Sequence, residues 1–289
     1  MSVIVKLSHK SAEIKALAFD LDGTLLAPGG VLTGRTLQAV RGCAQKGLEL
    51  IIATGRATAA CERYRLSMEA TGPMVYFNGA IIADMPSGII LNSTLLSKEI
   101  VNSCLELSEQ EGIYFQMYIP GTGGRKDQPL LTEAENVQRD MYYRHTGLLA
   151  EICDLRETLK DPQVSGCIKC MFLAEPELLD KLRPVVEKRF GTDVYAVRST
   201  DTFLEILNPG VSKGLGLGLA LKQRGIKAAQ TIVFGDEEND LPMFAGAGLS
   251  VAPANAKDKV RAAADLVTVS NAEDGVALFL EEYILQQKF

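Results

Sequence analysis

Two acidic clusters, a threonine and a lysine carry the chemistry open to this chain of 289 residues. Asp20 and Asp22 stand two apart in Asp20-Leu21-Asp22-Gly23-Thr24-Leu25, and a second cluster runs Asp236-Glu237-Glu238-Asn239-Asp240. On extended backbone, residues i and i+2 project to one side, so Asp20 and Asp22 can face one site while Leu21 packs away from it. Gly23 then frees the chain to turn. Two ionised carboxylates this close repel, and they call for a cation, a shared proton or a basic neighbour. Magnesium suits them best, because it takes oxygen ligands and keeps part of its shell for water and substrate phosphate. An Asp-x-Asp pair is a weak signal by itself, since surface loops often carry one. Its weight here comes from the hydrophobic run before it and from the second cluster.

The positioning elements are short apolar runs: Leu17-Ala18-Phe19 before Asp20, Leu50-Ile51-Ile52-Ala53 before Thr54, and Ile232-Val233-Phe234-Gly235 before Asp236. Such runs read as buried strands of a parallel sheet, and the residues past their carboxyl ends share one rim, where ligands bind. A helix from about Gly34 to Lys46 and another through Arg63 and Met68 alternate with the strands, the rhythm of a doubly wound fold. Met74-Val75-Tyr76-Phe77 stops at the turn signal Asn78-Gly79. From about Asp84 the pattern changes. Ile89–Leu91, Ile113–Ile119, Cys167–Leu173, Val194–Val197 and Phe203–Leu207 read as strands, with helices near Lys98–Glu111 and Glu177–Arg189. The α/β rhythm returns after Asn208-Pro209-Gly210, a breaker suited to a hinge. Ser212 then caps a helix to about Arg224, and a helix near Asp240–Ala245 and a strand at Leu249–Val251 follow. The expected fold is α/β: a Rossmann-like, doubly wound parallel core split into 1–83 and 209–289 around an inserted α+β domain, 84–208. Only pairing of the first and last thirds brings Asp20 to Asp236.

Composition narrows the function classes. A hydrophobic content of 47% marks an ordinary globular chain able to bury a sizeable core. A net charge of −6 offers no basic field for a nucleic acid. Val3-Ile4-Val5 is too short for a secretory h-region, with Lys6, His9 and Lys10 close behind. Leu241 to Ala256, the longest uncharged stretch, is broken by Pro242, Gly246, Gly248 and Pro253, so no membrane span is expected. The expected location is the cytoplasm, in keeping with six scattered cysteines. Cys167-Ile168-Lys169-Cys170 has the C-x-x-C spacing, but residues three apart on a strand point to opposite faces, which argues for two inert thiols. With only His9 and His145, a histidine zinc centre or a serine triad has little to draw on. Arg125-Lys126-Asp127 reads as a solvated loop. Gly214-Leu215-Gly216-Leu217-Gly218 follows a breaker and not a strand, which speaks against a dinucleotide loop.

The motifs Asp20-Leu21-Asp22-Gly23-Thr24-Leu25, Thr54-Gly55-Arg56, Lys213 and Gly235-Asp236-x-x-Asn239-Asp240 resemble, in order, those of the haloacid dehalogenase-like hydrolases. The insert is similar to the large cap of their Cof-type phosphatase branch. Phe77-Asn78-Gly79-Ala80, Asn208-Pro209-Gly210-Val211-Ser212-Lys213-Gly214 and Asn271-Ala272-Glu273-Asp274-Gly275-Val276 add to the likeness. It departs at Pro253 and Ala254, where relatives usually carry methionine and glycine. The resemblance implies that Asp20 attacks phosphorus to give an aspartyl-phosphate, and that Asp22 protonates the leaving oxygen and then activates water. Magnesium (Mg2+) would be held by the Asp20 side chain, the Asp22 carbonyl and Asp236, with Asn239 and Asp240 in support. Thr54 would donate to a phosphoryl oxygen and Lys213 would offset charge. Gly55, Arg56 and Asn78 would join Thr54 in binding substrate, although Arg56 reads equally well as a helix-start arginine packed on the core. The implied activity is magnesium-dependent hydrolysis of a small phosphorylated metabolite of the sugar-phosphate kind. A phosphomutase and a non-catalytic metal- or metabolite-binding protein are the competing readings, and the oligomeric state is left open.

Overall fold

The structure is a computed structural model that describes residues 13–121 and 127–286, without the side chain of Ser199. The N-terminal run with His9, and Arg125 and Lys126, lie outside the described residues. In chain order the first elements are β1 (Ala16–Phe19), α1 (Gly34–Gln45), β2 (Glu49–Ile52), α2 (Thr58–Met68), β3 (Gly72–Tyr76), β4 (Ile81–Met85) and β5 (Ile89–Ser93). Next come α3 (Lys98–Glu111), β6 (Tyr114–Tyr118), β7 (Leu130–Thr132), α4 (Val137–Thr146), β8 (Glu151–Ile152), α5 (Leu155–Lys160), β9 (Lys169–Leu173), α6 (Pro176–Phe190), β10 (Tyr195–Thr200) and β11 (Phe203–Leu207). The chain closes with α7 (Lys213–Gln223), β12 (Thr231–Phe234), α8 (Leu241–Phe244), β13 (Leu249–Pro253), α9 (Asp258–Ala263), β14 (Leu266–Thr268) and α10 (Gly275–Leu280). Among the described residues, no helix is long and apolar enough to cross a membrane.

The chain divides into two compact units, one of residues 1–54, 62–91 and 212–289, the other of residues 55–61 and 92–211. The first holds a five-stranded sheet in the order β14-β13-β12-β1-β2, every pair parallel. The inner strands β1, β12 and β13 are buried on both faces. Ala16, Ala18, Ile51, Val233 and Ala252 share a core with Leu217, Ala220 and Leu221 of α7. On the other face Phe19 stacks on its register partner Phe234, ring centroids 5.2 Å apart, and Phe279 of α10 meets Phe234 edge-on. Burial on both faces explains why the sequence shows continuous apolar runs here and not alternation.

A second sheet of the first unit, β3-β4-β5, is antiparallel between β3 and β4. It runs past the expected boundary at residue 84, because β5 continues the hairpin begun at Asn78-Gly79 by lying beside β4. The second unit holds a six-stranded sheet, β10-β11-β9-β6-β7-β8, antiparallel except between β7 and β8. Phe115, Met117, Cys170, Phe172, Leu204 and Ile206 face α3, α5 and α6 and form a core of their own. The α/β core with an α+β insert is therefore present.

The pair Cys167 and Cys170 departs from expectation. The strand starts at Lys169, after a bend at Ile168, so both thiols turn inwards and the Cys170 thiol sits against those of Cys104 and Cys167. Burial, with those two neighbours adding to it, raises the Cys170 thiol well above its ordinary value. The thiols are buried and unreactive, though for a different geometric reason.

Candidate active site

The Asp20 backbone N–H donates to Phe234 O at 3.0 Å, which continues the β1–β12 ladder by one bond and sets Asp20 beside the start of the second acidic cluster. Gly235 allows the tight return that follows, since a Cβ there would lie 2.4 Å from the Asp240 Cβ. Asp20, Asp236 and Asp240 are all buried, with one carboxylate oxygen of each within 4.8 Å of the others. Lys213, the first residue of α7, donates from Nζ to Asp20 Oδ1 at 2.6 Å and to Asp240 Oδ1 at 2.7 Å. It reaches there because Ser212 caps the helix, its hydroxyl accepting from Leu215 N. The other Asp240 oxygen accepts from the backbone N–H groups of Asp236 and Glu237. Both oxygens of Asp240 are thus engaged, and its role is to hold the lysine and the loop.

The electrostatics reflect crowding. Burial drives the Asp20 carboxyl well above its ordinary range; Lys213 pulls it back, while Asp240, Asp236 and Asp22 push it up again. Asp236 is pushed up to about 7, first by burial, against the hydrogen bond it accepts from Thr24 Oγ1 at 2.6 Å. Burial alone would lower the Lys213 ammonium, but Asp20 and Asp240 outweigh it and hold the lysine above its usual value.

The remaining candidates fall at different distances from this knot. Asp22 is exposed, close enough for its charge to act on Asp20, and its backbone bridges to Leu26. Thr54 is buried; its N–H donates to Val75 O and its carbonyl accepts from Asn78 N. Asn78 is buried as well, at φ +56°, and its Oδ1 accepts from Asn239 Nδ2 at 2.9 Å. Gly55 and Arg56 belong to the second unit, where the Gly55 carbonyl accepts from Lys169 and Arg56 exerts its charge on Tyr142. His145 is exposed and edge-on to Phe203. Glu237 and Glu238 pair with Lys257 and Lys259.

The residues fit a hard divalent cation. Three buried carboxylates gathered beside Lys213, two of them, Asp20 and Asp236, with raised proton affinity, are the hard oxygen donors that such an ion takes. The Asn239 Oδ1 is buried and has no hydrogen-bond partner, an acceptor left over beside the cluster. Sequence reasoning assigned nothing to three further residues. Thr24 bonds Asp236, Asn255 Nδ2 donates to Gly23 O at 2.8 Å, and Asn271 Nδ2 donates to Leu26 O at 2.8 Å. Only their presence in the motif stretches could have marked them.

A parallel sheet whose rim gathers an aspartate knot around one lysine defines a class, and comparison with known proteins agrees with it. The profile of the haloacid dehalogenase-like hydrolases matches residues 17–280. The chain belongs to that family, in its Cof-type branch. Among curated relatives it is 30% identical over 285 residues to the 5-amino-6-(5-phospho-D-ribitylamino)uracil phosphatase YitU of Bacillus subtilis, covering 92% of this chain and 96% of that one. A second such phosphatase of that organism, YcsE, is 25% identical over 281 residues, covering 97% and 100%. Among solved structures, TM0651 of Thermotoga maritima superposes with a TM-score of 0.79 at 29% identity, covering 93% of this chain and 97% of that one. A haloacid dehalogenase-like hydrolase of Bacteroides thetaiotaomicron gives a TM-score of 0.82 at 25% identity, covering 93% and 99%.

Proposed function

We propose that this hydrolase is a magnesium-dependent phosphatase that cleaves a small phosphorylated metabolite, of the sugar- or polyol-phosphate kind, through an aspartyl-phosphate on Asp20. The observation that carries the reading is Lys213 spanning Asp20 and Asp240 beside Asp236, which keeps one carboxylate oxygen of a buried aspartate aimed and charge-balanced. Asp20 attacks phosphorus while the bond to the leaving oxygen breaks, and Asp22, exposed and therefore able to exchange protons, supplies that oxygen with a proton. Asp22 then takes a proton from the water that cleaves the acyl-phosphate, which frees inorganic phosphate and restores Asp20. Lys213 and the Thr54 hydroxyl offset charge on the phosphoryl oxygens, with Gly55, Arg56 and Asn78 as the further substrate-binding candidates. Magnesium, held by Asp20, the Asp22 carbonyl and Asp236 with Asn239 and Asp240 behind them, supplies charge neutralisation that lets dianionic phosphate approach a carboxylate.

Two relatives named for a phosphorylated ribityl compound support a polyol phosphate as the first substrate to test. The experiment is a panel of phosphorylated metabolites assayed for inorganic phosphate with magnesium and with a chelator. The wild-type protein should release phosphate only with the metal. Asp20→Asn should lose on the order of a thousandfold or more of that turnover with its fold intact. Retained magnesium-dependent turnover in that variant would defeat the assignment.

A further inference from the structure

Among the described residues Lys169 is the most deeply buried ammonium outside the site just described, 2% exposed, and it lies on the sheet face of the second unit that turns away from the apolar core. Alternation places Lys169, Met171 and Leu173 of β9 on that face, together with Tyr118 of β6 and Glu205 of β11. Lys169 Nζ donates to Glu205 Oε1 at 2.8 Å and to the carbonyl of Gly55 at 3.1 Å, and it stands 5.7 Å from the centroid of the Tyr118 ring. Glu205 is buried as well.

Gly55 is the residue after Thr54, and its placement sets how the turn leaves the threonine. Thr54 itself is fixed on both sides of its peptide, by Val75 O and by Asn78 N. A glycine has the widest backbone freedom of any residue, so the next peptide can rotate unless something holds its carbonyl. Lys169 is that hold. A neutral donor would tie a carbonyl without the cost of burying a charge, and a buried ion pair is poor evidence for added stability, since apolar replacements of both partners are often neutral or better. The retained charge therefore points to a task other than stability.

We propose that Lys169, balanced by Glu205, is a positioning residue: it fixes the Gly55 peptide and so keeps the Thr54-Gly55-Arg56 turn in the conformation that receives the phosphoryl group. The inference rests on the phosphatase reading above. It assigns to Lys169 of β9 and Glu205 of β11, strands that carry none of the expected catalytic residues, an indirect part in phosphoryl binding through the Gly55 peptide.

The test uses the full-length protein, p-nitrophenyl phosphate as substrate and inorganic phosphate as competitive inhibitor, with magnesium throughout. Lys169→Met should lower kcat/KM on the order of 10- to 100-fold and weaken inhibition by phosphate in proportion, the scale of a misplaced binding group. Lys169→Arg, which keeps a donor and the charge, should recover most of the loss. The double variant Lys169→Met/Glu205→Met separates position from folding: it should unfold at or above the wild-type temperature yet keep the kinetic defect. A double variant with wild-type kcat/KM and wild-type phosphate inhibition would overturn the inference and leave the phosphatase reading standing. Absence of turnover in the wild-type protein on this substrate and across the metabolite panel would overturn both.

Discussion

At the scale of single residues, the site is a problem of crowded negative charge solved with one lysine and a few backbone donors. Asp240 shows the division of labour, because both of its oxygens are engaged, one by Lys213 and the other by the N–H groups of Asp236 and Glu237. Replacing it with alanine would leave Lys213 buried with Asp20 alone and release the loop that carries Asp236. Breaking a buried pair on one side costs about 3–5 kcal/mol. Asp240→Ala should therefore show a loss of that order in urea unfolding along with its loss of turnover, and wild-type stability would contradict the role. Gly23 offers a sharper probe. It adopts φ +79°, and a Cβ there would fall 2.2 Å from Asp236 Oδ2. Gly23→Ala must displace that carboxylate, and magnesium affinity measured by calorimetric titration should fall roughly tenfold or more. Equal affinity in the two proteins would show that Asp236 does not bind the metal. Asp20, Asp236 and Lys213 were legible in the sequence because each follows a strand or opens a capped helix. Thr24, Asn255 and Asn271 were not, since a polar residue bonding a loop carbonyl leaves no periodic mark.

At the scale of elements, legibility followed pattern length. The helix Lys98–Glu111 and the strand Phe203–Leu207 appear with the bounds the sequence suggested, one long and capped, the other packed by Leu204 and Ile206 on a full apolar face. The two-residue β8 and the three-residue β7 and β14 were not read, because two or three residues cannot display a period of 2 or 3.6; the six-residue α5 and the ten-residue α4, which buries only Tyr142 and so shows no apolar stripe, were not read either. Helix α1 shows how deeply an element can hide a titrating group. Thr33 caps it by accepting from Thr36 N, and Cys43 near its end is fully buried. Burial pushes the Cys43 thiol up to about 12 from an ordinary 9.0, with Lys46 pulling weakly the other way. A raised acid means that the folded protein keeps a proton the unfolded chain gives up. The corresponding stability is full below pH 9 and drains away as pH climbs towards 12. Denaturant titrations at pH 8, 9 and 10 should show falling stability in the wild type and a shallower fall in Cys43→Ala. Identical slopes would mean that this thiol is not the source. The comparison stays at or below pH 10 because the buried phenols of Tyr118 and Tyr142, also raised, add the same sign above it.

At the scale of the whole molecule, each of the two units holds apolar residues packed only among themselves. Every residue of the core around Phe172 comes from the span 92–211, and every residue of the core around Val233 comes from the other unit. The sequence hinted at this through the change of rhythm near Asp84 and its return after Asn208-Pro209-Gly210, although Gly55–Cys61 already groups with the second unit and the hairpin through β5 carries the first unit on to Leu91. The ends of the inserted span are tied together, since Asn208 Nδ2 donates to Leu95 O at 2.8 Å. A span with its own core and adjoining ends meets the physical conditions for independent folding. Residues 92–211 expressed alone should therefore unfold in one cooperative urea transition with mixed α/β circular dichroism. The fragment lacks Gly55, so Lys169 loses one acceptor but keeps Glu205, and no residue of 55–61 belongs to its core. A gradual, non-cooperative loss of signal would show instead that this core closes only when the segment Gly55–Cys61 is packed with it.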